Sequence, residues 1–377
     1  MVRSQPKKVI FRWYVKLKKK EKQMKKIVLT GLLMGALSAM GQDIHFSQYN
    51  ETPSLLNPAL TGMSSNYRLA AIYKDQWRSV TVPYQTFGAM FEMKVKLSAW
   101  EKVDQHMTEI YKKALRKLAV GMDVFNDRAG DGGMGQTRFD LSVSSLVPLS
   151  TRSNLAAGLM GGAVQHSIDF TKLVWPDQYN GAGYSQSVNS GENLISSNYL
   201  NGDFAGGLAW TYSKDERGIR ANNQFKADAG VAFYHINRPR QKFLGQDVRM
   251  YRKVVVHGKA LIGIKYTNVS LVPSYLLEFQ GKQKELLVGM LIKYHFEEDS
   301  KFTGYVHGSY FSIGAHYRNN DAVILSTLME FGNMGIGLSY DVNVSKLHAV
   351  STYRGGFEVM LRFVGVTPFI YQNSSRF

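Results

Sequence analysis

The chain has 377 residues and no cysteine, which excludes a disulfide scaffold, thiolate catalysis and Cys-ligated metals or clusters. Of its formal net charge of +17, the first 41 residues hold 11 Lys or Arg against one Glu; the remaining +7 spreads over 336 residues and excludes a nucleic-acid partner as the leading reading. Glycine is abundant at 35, proline scarce at 9, and Tyr (21) nearly equals Phe (20). That composition fits barrels whose aromatics mark membrane interfaces while small polar residues face a lumen.

In chain order, residues 1–23 are strongly basic and carry no cap or periodic face, so they read as an upstream extension with translation beginning at Met24. From there MKKIVLTGLLMGALSAMGQD has the layout of an export signal: two lysines, an apolar run from Ile27 to Leu37, then small residues to Gly41. The run is too short to cross a membrane permanently, and no lipobox cysteine follows it. Residues 42–63 break every strand rhythm. Asn57-Pro58 and Gly62 dictate turns, and Pro53 and Pro58 lack donors. This segment is expected to form a plug or periplasmic clasp, with Phe46, Tyr49 and Leu56 packed on a barrel wall; the alternative is an ordinary ordered N-terminal extension.

Period-two alternation then predicts strands at 65–74, 84–95, 117–126, 136–148, 153–166, 201–213, 224–235, 252–264, 266–279, 285–296, 305–317, 321–331, 334–343 and 354–363. In the thirteenth, Gly335, Gly337, Ser339 and Asp341 alternate with Ile336, Leu338, Tyr340 and Val342, one face small and polar, the other apolar. Asn319-Asn320, Gly332-Asn333 and Gly281-Lys282 read as tight hairpins. Two stretches interrupt the pattern. Residues 97–116 are as helical as extended, and 169–200 is a long polar loop, expected on the outer surface because barrels keep short turns on the periplasmic side. In the first strand Arg68 faces the interior if Tyr67 and Leu69 face outward, and it pairs either with Asp75 or with the plug. The reading is all-β, a transmembrane antiparallel barrel of about fourteen strands. A soluble periplasmic sandwich explains the alternation too, but not the signal joined to so many consecutive hairpins.

Catalytic and metal chemistry find little support. The nine histidines form no HExxH, and Asp43, His45 and Ser47 cannot share a triad geometry as neighbours in an extended chain. Asn126–Gly133 lacks the spaced acceptors of a calcium loop and reads as a hairpin turn. Neither phosphate-loop pattern is present. No cofactor, metal or catalytic residue is expected.

The stretch Asp43, Phe46-Ser47-Gln48-Tyr49, Pro53, Asn57-Pro58-Ala59, Gly62, Arg68, Gln76-Trp77 and Tyr84-Gln85-Thr86 resembles the opening of the PorP/SprF family. Its members begin a mature chain with QDPxFSQY and continue with NPAxxG, an Arg, a YRxQW-like motif and Tyr-x-Thr. Here Ile44 replaces the usual Pro, and Lys74-Asp75 stand at the Arg and variable positions. GIGLSYDVNVSKL near the C-terminus continues the likeness. The resemblance implies an outer-membrane barrel of the Bacteroidota type IX secretion system, with fourteen strands. It further implies secretion or surface attachment of large adhesins of the gliding-motility type, by protein binding. The implied partners are an adhesin with a type IX C-terminal domain, other secretion components and outer-membrane lipid. The expected organisation is extension and signal at 1–41, plug segment at 42–63 and barrel at 64–377. Asp43, Phe46, Ser47, Gln48, Tyr49, Asn57, Pro58, Gly62, Arg68, Gln76, Trp77 and Tyr84 are the candidate structural or partner-binding residues. A solute channel and an outer-membrane hydrolase are the rival functions.

Overall fold

A computed structural model describes residues 44–78, 82–95, 118–130, 132–185, 187–190, 198–214, 222–243, 246–296, 308–345 and 351–365. The signal, Asp43 and the 97–116 segment lie outside the described residues. Among the described residues, sixteen strands follow in chain order: β1 (Tyr67–Gln76), β2 (Tyr84–Val95), β3 (Leu118–Ala129), β4 (Met134–Pro148), β5 (Ser153–Ser167), β6 (Tyr199–Lys214), β7 (Phe225–Tyr234), β8 (Arg240–Phe243), β9 (Gln246–Arg249), β10 (Lys253–Gly263), β11 (Val269–Gln280), β12 (Gln283–His295), β13 (Ser309–Arg318), β14 (Ala322–Phe331), β15 (Met334–Asn343) and β16 (Arg354–Gly365). Fourteen of them close into one antiparallel barrel, in which β7 pairs β10 and β1 pairs β16; β8 and β9 form a separate hairpin.

Closure removes both sheet edges, so each strand's backbone groups are met by a neighbour, the condition for crossing lipid with strands. The alternation of side chains sets the two faces. In β15, Met334, Ile336, Leu338 and Tyr340 point outward and are exposed, while Ser339 and Asp341 are buried inside. Outward aromatics gather near the strand ends. Trp210, Phe225, Tyr294, Phe331 and Phe363 ring one rim; Tyr73, Phe87, Phe279, Tyr317, Tyr340 and Phe357 ring the other. Leu69, Leu141, Leu159, Leu208, Leu325 and Leu361 lie between them. This band flanked by aromatic girdles is the surface a bilayer requires. Gly281-Lys282 and Gly332-Asn333 join their strands as two-residue loops, each with its glycine at positive φ in first place, the arrangement of a type II′ hairpin turn.

The interior holds residues 46–63. They form three short helical turns, Tyr49–Glu51, Pro53–Leu56 and Pro58–Leu60. Phe46, Tyr49, Leu56 and Ala59 are buried. Tyr49 and Leu56 pack with Met160, Ala205, Tyr234, Val255, Leu276 and Ile324 from the inner wall.

Candidate functional site

Four clusters of contacts, together with single bonds from Tyr234 Oη to the Leu55 carbonyl (2.7 Å) and from Asn50 Nδ2 to Ser274 (3.3 Å), hold this segment in the lumen. The first lies at β13, β15, β16 and β1. Glu358 is wholly buried, and its two oxygens accept from the Ser47 amide (2.7 Å) and the Gln48 amide (3.0 Å). Lys74 Nζ lies 3.1 Å from the same carboxylate and is itself buried. The Ser47 hydroxyl donates to Asp341 at 2.8 Å and accepts from the Arg318 guanidinium at 2.8 Å. Arg318 in turn bridges Asp341 (3.2 Å) and Asp321 (3.0 Å). The Ser47 hydroxyl thus stands between a carboxylate and a guanidinium, both bonded to it.

The second contact is a ladder of alternating charge. Lys293 meets Glu330 at 2.5 Å, Glu330 meets Arg362 at 2.5 Å, Arg362 meets Glu51 at 2.6 Å, and Glu51 meets Arg68 at 3.2 Å. Arg68 also donates to the Glu51 carbonyl at 2.5 Å. The sequence left two partners for Arg68; it takes Glu51 of the inner segment, while Asp75 pairs with Arg78 at 2.6 Å. Burial works against ionisation of Glu51, but Arg362, Arg68 and Lys259 outweigh it and hold the carboxyl down at about 2. A depressed carboxylate contributes stability above its ordinary value and loses it as pH falls through the lowered one. Retention of the segment by this ladder is thus expected to be constant from neutrality down to about pH 4.5, and to fade only toward pH 2. Limited proteolysis of residues 46–63 across that range checks this; release already at mildly acidic pH would contradict the ladder.

The third contact seats the Asn57-Pro58 turn. The Asn57 side-chain oxygen accepts from the Ala59 amide (2.9 Å), capping the Pro58–Leu60 turn. Its Nδ2 donates to the carbonyls of Leu208 (3.0 Å) and Val231 (3.3 Å) and stands 3.0 Å from His257 Nε2. The wall is glycine here because nothing larger fits. A Cβ at Gly207 would lie 2.0 Å from Asn57 Oδ1, at Gly230 2.7 Å from Asn57 Nδ2, and at Gly158 2.3 Å from the Pro58 carbonyl carbon. The fourth contact closes the segment. The Gly62 amide donates to Glu92 (2.8 Å), Thr61 Oγ1 donates to Ser142 (3.0 Å), and Ser144 donates to the Thr61 carbonyl (2.6 Å).

The candidate residues therefore divide into two groups. Phe46, Ser47, Gln48, Tyr49, Asn57, Pro58, Gly62 and Arg68 converge on the lumen; Phe46 lies against Phe125 at 5.9 Å, and Tyr49 sits edge-on to His316 at 6.1 Å. Gln76, Trp77 and Tyr84 gather instead at the rim where β1 ends. Gln76 stands opposite Tyr84, and the Trp77 ring meets the Tyr84 ring edge-on at 5.6 Å. Trp77 holds φ +55 and donates its amide to the Gly355 carbonyl at 3.0 Å. Sequence reasoning missed Glu51, Glu92, Asp341, Glu358 and Arg362. The signal for the strand members was a charge at inward parity inside an otherwise apolar or small alternation.

A family model for the type IX secretion system membrane protein PorP/SprF matches residues 38–363. The chain belongs to that family. It is a type IX secretion system protein of the outer membrane, a component of transport machinery rather than an enzyme, with partners linked to that system. Among the described residues, no group of three or more His, Cys, Asp or Glu is placed to hold a metal. No curated protein matches the sequence. Similar solved structures include TodX deltaS2S3 mutant monoaromatic hydrocarbon channel (TM-score 0.44, 9% identity, 83% of this chain and 94% of that one) and CdiB from Acinetobacter baumannii (TM-score 0.40, 6% identity, 79% of this chain). The chain spans 60% of the length of CdiB. NanC porin is similar over 78% of this chain and 97% of its own, at TM-score 0.34 and 7% identity.

Proposed function

We propose that this barrel supports secretion or surface attachment of a large adhesin by binding it, and that residues 46–63 act as a fixed plug. The observation that supports binding over conduction is the filling of the lumen by a segment held at four places, two of them buried charge clusters. A mobile gate would be expected to rest on few and exposed contacts; this one has buried ionic anchors whose removal is costly. The segment thus gives the barrel a rigid interior, and the rims become the surfaces available to an exported protein's C-terminal domain and to other secretion components. Gln76, Trp77 and Tyr84 stand on one such rim.

The test is a deletion strain complemented with the parent chain or with Trp77→Ala. The proposal expects one large surface protein to disappear from the deletion strain and to co-purify with the parent from detergent-solubilised outer membranes. It also expects purified parent in planar bilayers to show negligible conductance. Steady solute conductance by the parent, with surface proteins intact in the deletion strain, would favour the channel reading.

A further inference from the structure

Between Tyr234 and Lys253 the chain leaves the barrel and folds back as the β8–β9 hairpin. It is tied to the first residues of β6. The Ile236 amide donates to the Phe204 carbonyl (3.1 Å), Asn237 Nδ2 to the Gly202 carbonyl (2.7 Å), and Asn201 Nδ2 to the Arg240 carbonyl (2.7 Å). The side it occupies can be read from Gly206. A Cβ there would lie 3.3 Å from Leu159, which points outward, and 3.9 Å from Ile236 Cδ1. Ile236 therefore rests on the lipid-facing side of the wall. At the far end the Tyr251 ring lies over the β11–β12 turn, 3.0 Å from where a Gly281 Cβ would stand. The hairpin thus borders the rim from β6 to β12, beside the outward aromatics Phe204, Phe233 and Phe279.

This arc is crowded with cations. Arg238, Arg240, Lys242, Arg249 and Arg252 are all exposed, and Lys282 and Lys284 continue the row at the neighbouring turn. Arg240 and Arg249 stand directly opposite one another in register, a like-charge pairing that works against the hairpin's own stability. Arg238 holds φ +49, uncommon for a bulky side chain. Ile236, Val248 and Tyr251 are exposed among these charges. Cations interleaved with apolar side chains at the edge of an apolar band match one environment, the boundary between phosphate headgroups and acyl chains.

We propose that this arc binds the phosphates of a phosphorylated glycolipid in the surrounding leaflet, with Ile236 and Tyr251 at the acyl boundary. The same rim carries the long connection between β5 and β6, and long loops of bacterial barrels lie outside, so the leaflet is the outer one. A soluble anion would engage the arginines but give no reason for an apolar contact with the lipid-facing wall. An acidic protein would be met above the rim rather than along its lipid side.

The full chain is reconstituted in phosphatidylethanolamine nanodiscs doped with bisphosphorylated lipid A, and lipid retained after detergent extraction is counted by native mass spectrometry. The triple variant Arg238→Gln, Arg249→Gln, Arg252→Gln is expected to lose roughly a hundredfold in lipid A affinity, since each basic residue near an anionic surface contributes about a factor of five. Its heat-modifiable barrel should persist, because the hairpin lies outside the barrel sheet. Lys282→Gln with Lys284→Gln, on a different element, should give a smaller loss in the same direction. Dephosphorylated lipid A should bind the parent as poorly as the triple variant binds the phosphorylated form. Unchanged retention in the triple variant overturns the proposal. So does complete displacement by inorganic phosphate, which would make the arc a site for free anions, or retained lipid A with loss of a co-purifying acidic exported protein.

Discussion

Gly207→Val is expected to unseat the Asn57-Pro58 turn while leaving the barrel closed. Valine is favoured in strands, so sheet pairing does not suffer. The effect falls on the lumen, where the new Cβ would lie 2.0 Å from Asn57 Oδ1. Overpacking of that kind costs about 1–3 kcal/mol. Displacing Asn57 also orphans a side chain that is wholly buried and bonded to the Leu208 and Val231 carbonyls, at about 1–3 kcal/mol for each group left unmet. Together these rival what a single turn gains from being docked. The absence of native cysteine gives a clean readout. Ser54 is fully buried, so Ser54→Cys in the parent should resist maleimide in folded protein and label once Gly207→Val is added. Continued protection in the Gly207→Val background would show that the glycine wall is not what seats the turn.

The second large effect is expected at the buried pair of Lys74 and Glu358, which face each other across β1 and β16. Glu358→Leu leaves an ammonium buried without its carboxylate and strips the Ser47 and Gln48 amides of their acceptor. Breaking one side of such a pair typically costs about 3–5 kcal/mol, whereas replacing both partners with apolar residues is close to neutral. Lys74→Met combined with Glu358→Leu should therefore recover most of the barrel's resistance to heat on semi-native gels. It should not restore protection of Ser54→Cys, because the two amides still lack their acceptor. Equal heat resistance in the single and double variants would remove the argument that the buried charge is what matters.

The barrel was legible because alternation repeats once per strand. The segments 84–95 and 334–343 coincide with β2 and β15, while 65–74 and 266–279 begin two and three residues before β1 and β11. Such ends shift because the first residues of a strand have the right chemistry without a partner to pair with. The β8–β9 hairpin went unseen: four-residue strands carrying arginines on both sides show no period. Within the lumen, the turn chemistry of Asn57-Pro58 and the apolar character of Phe46 and Tyr49 were readable locally. Their partners were not. Nothing near Glu51 in sequence points to Arg362, and a lone arginine in a strand is equally consistent with solvent until closure of the barrel sets its side. Charge at inward parity tells which residues face the interior, and only the shear of the closed sheet tells which of them meet.

The inner segment touches both members of the closing seam: Glu51 spans Arg68 on β1 and Arg362 on β16, and Glu358 joins Lys74 to the Ser47 amide. Two of these bonds, Glu51 to Arg362 and the Ser47 amide to Glu358, each link positions 311 residues apart. Contacts so distant along the chain form late, since the intervening polymer must be organised before they offer any return. This stretch thus completes its folding near the end, and until then Glu51, Phe46 and Tyr49 lack the wall that receives them.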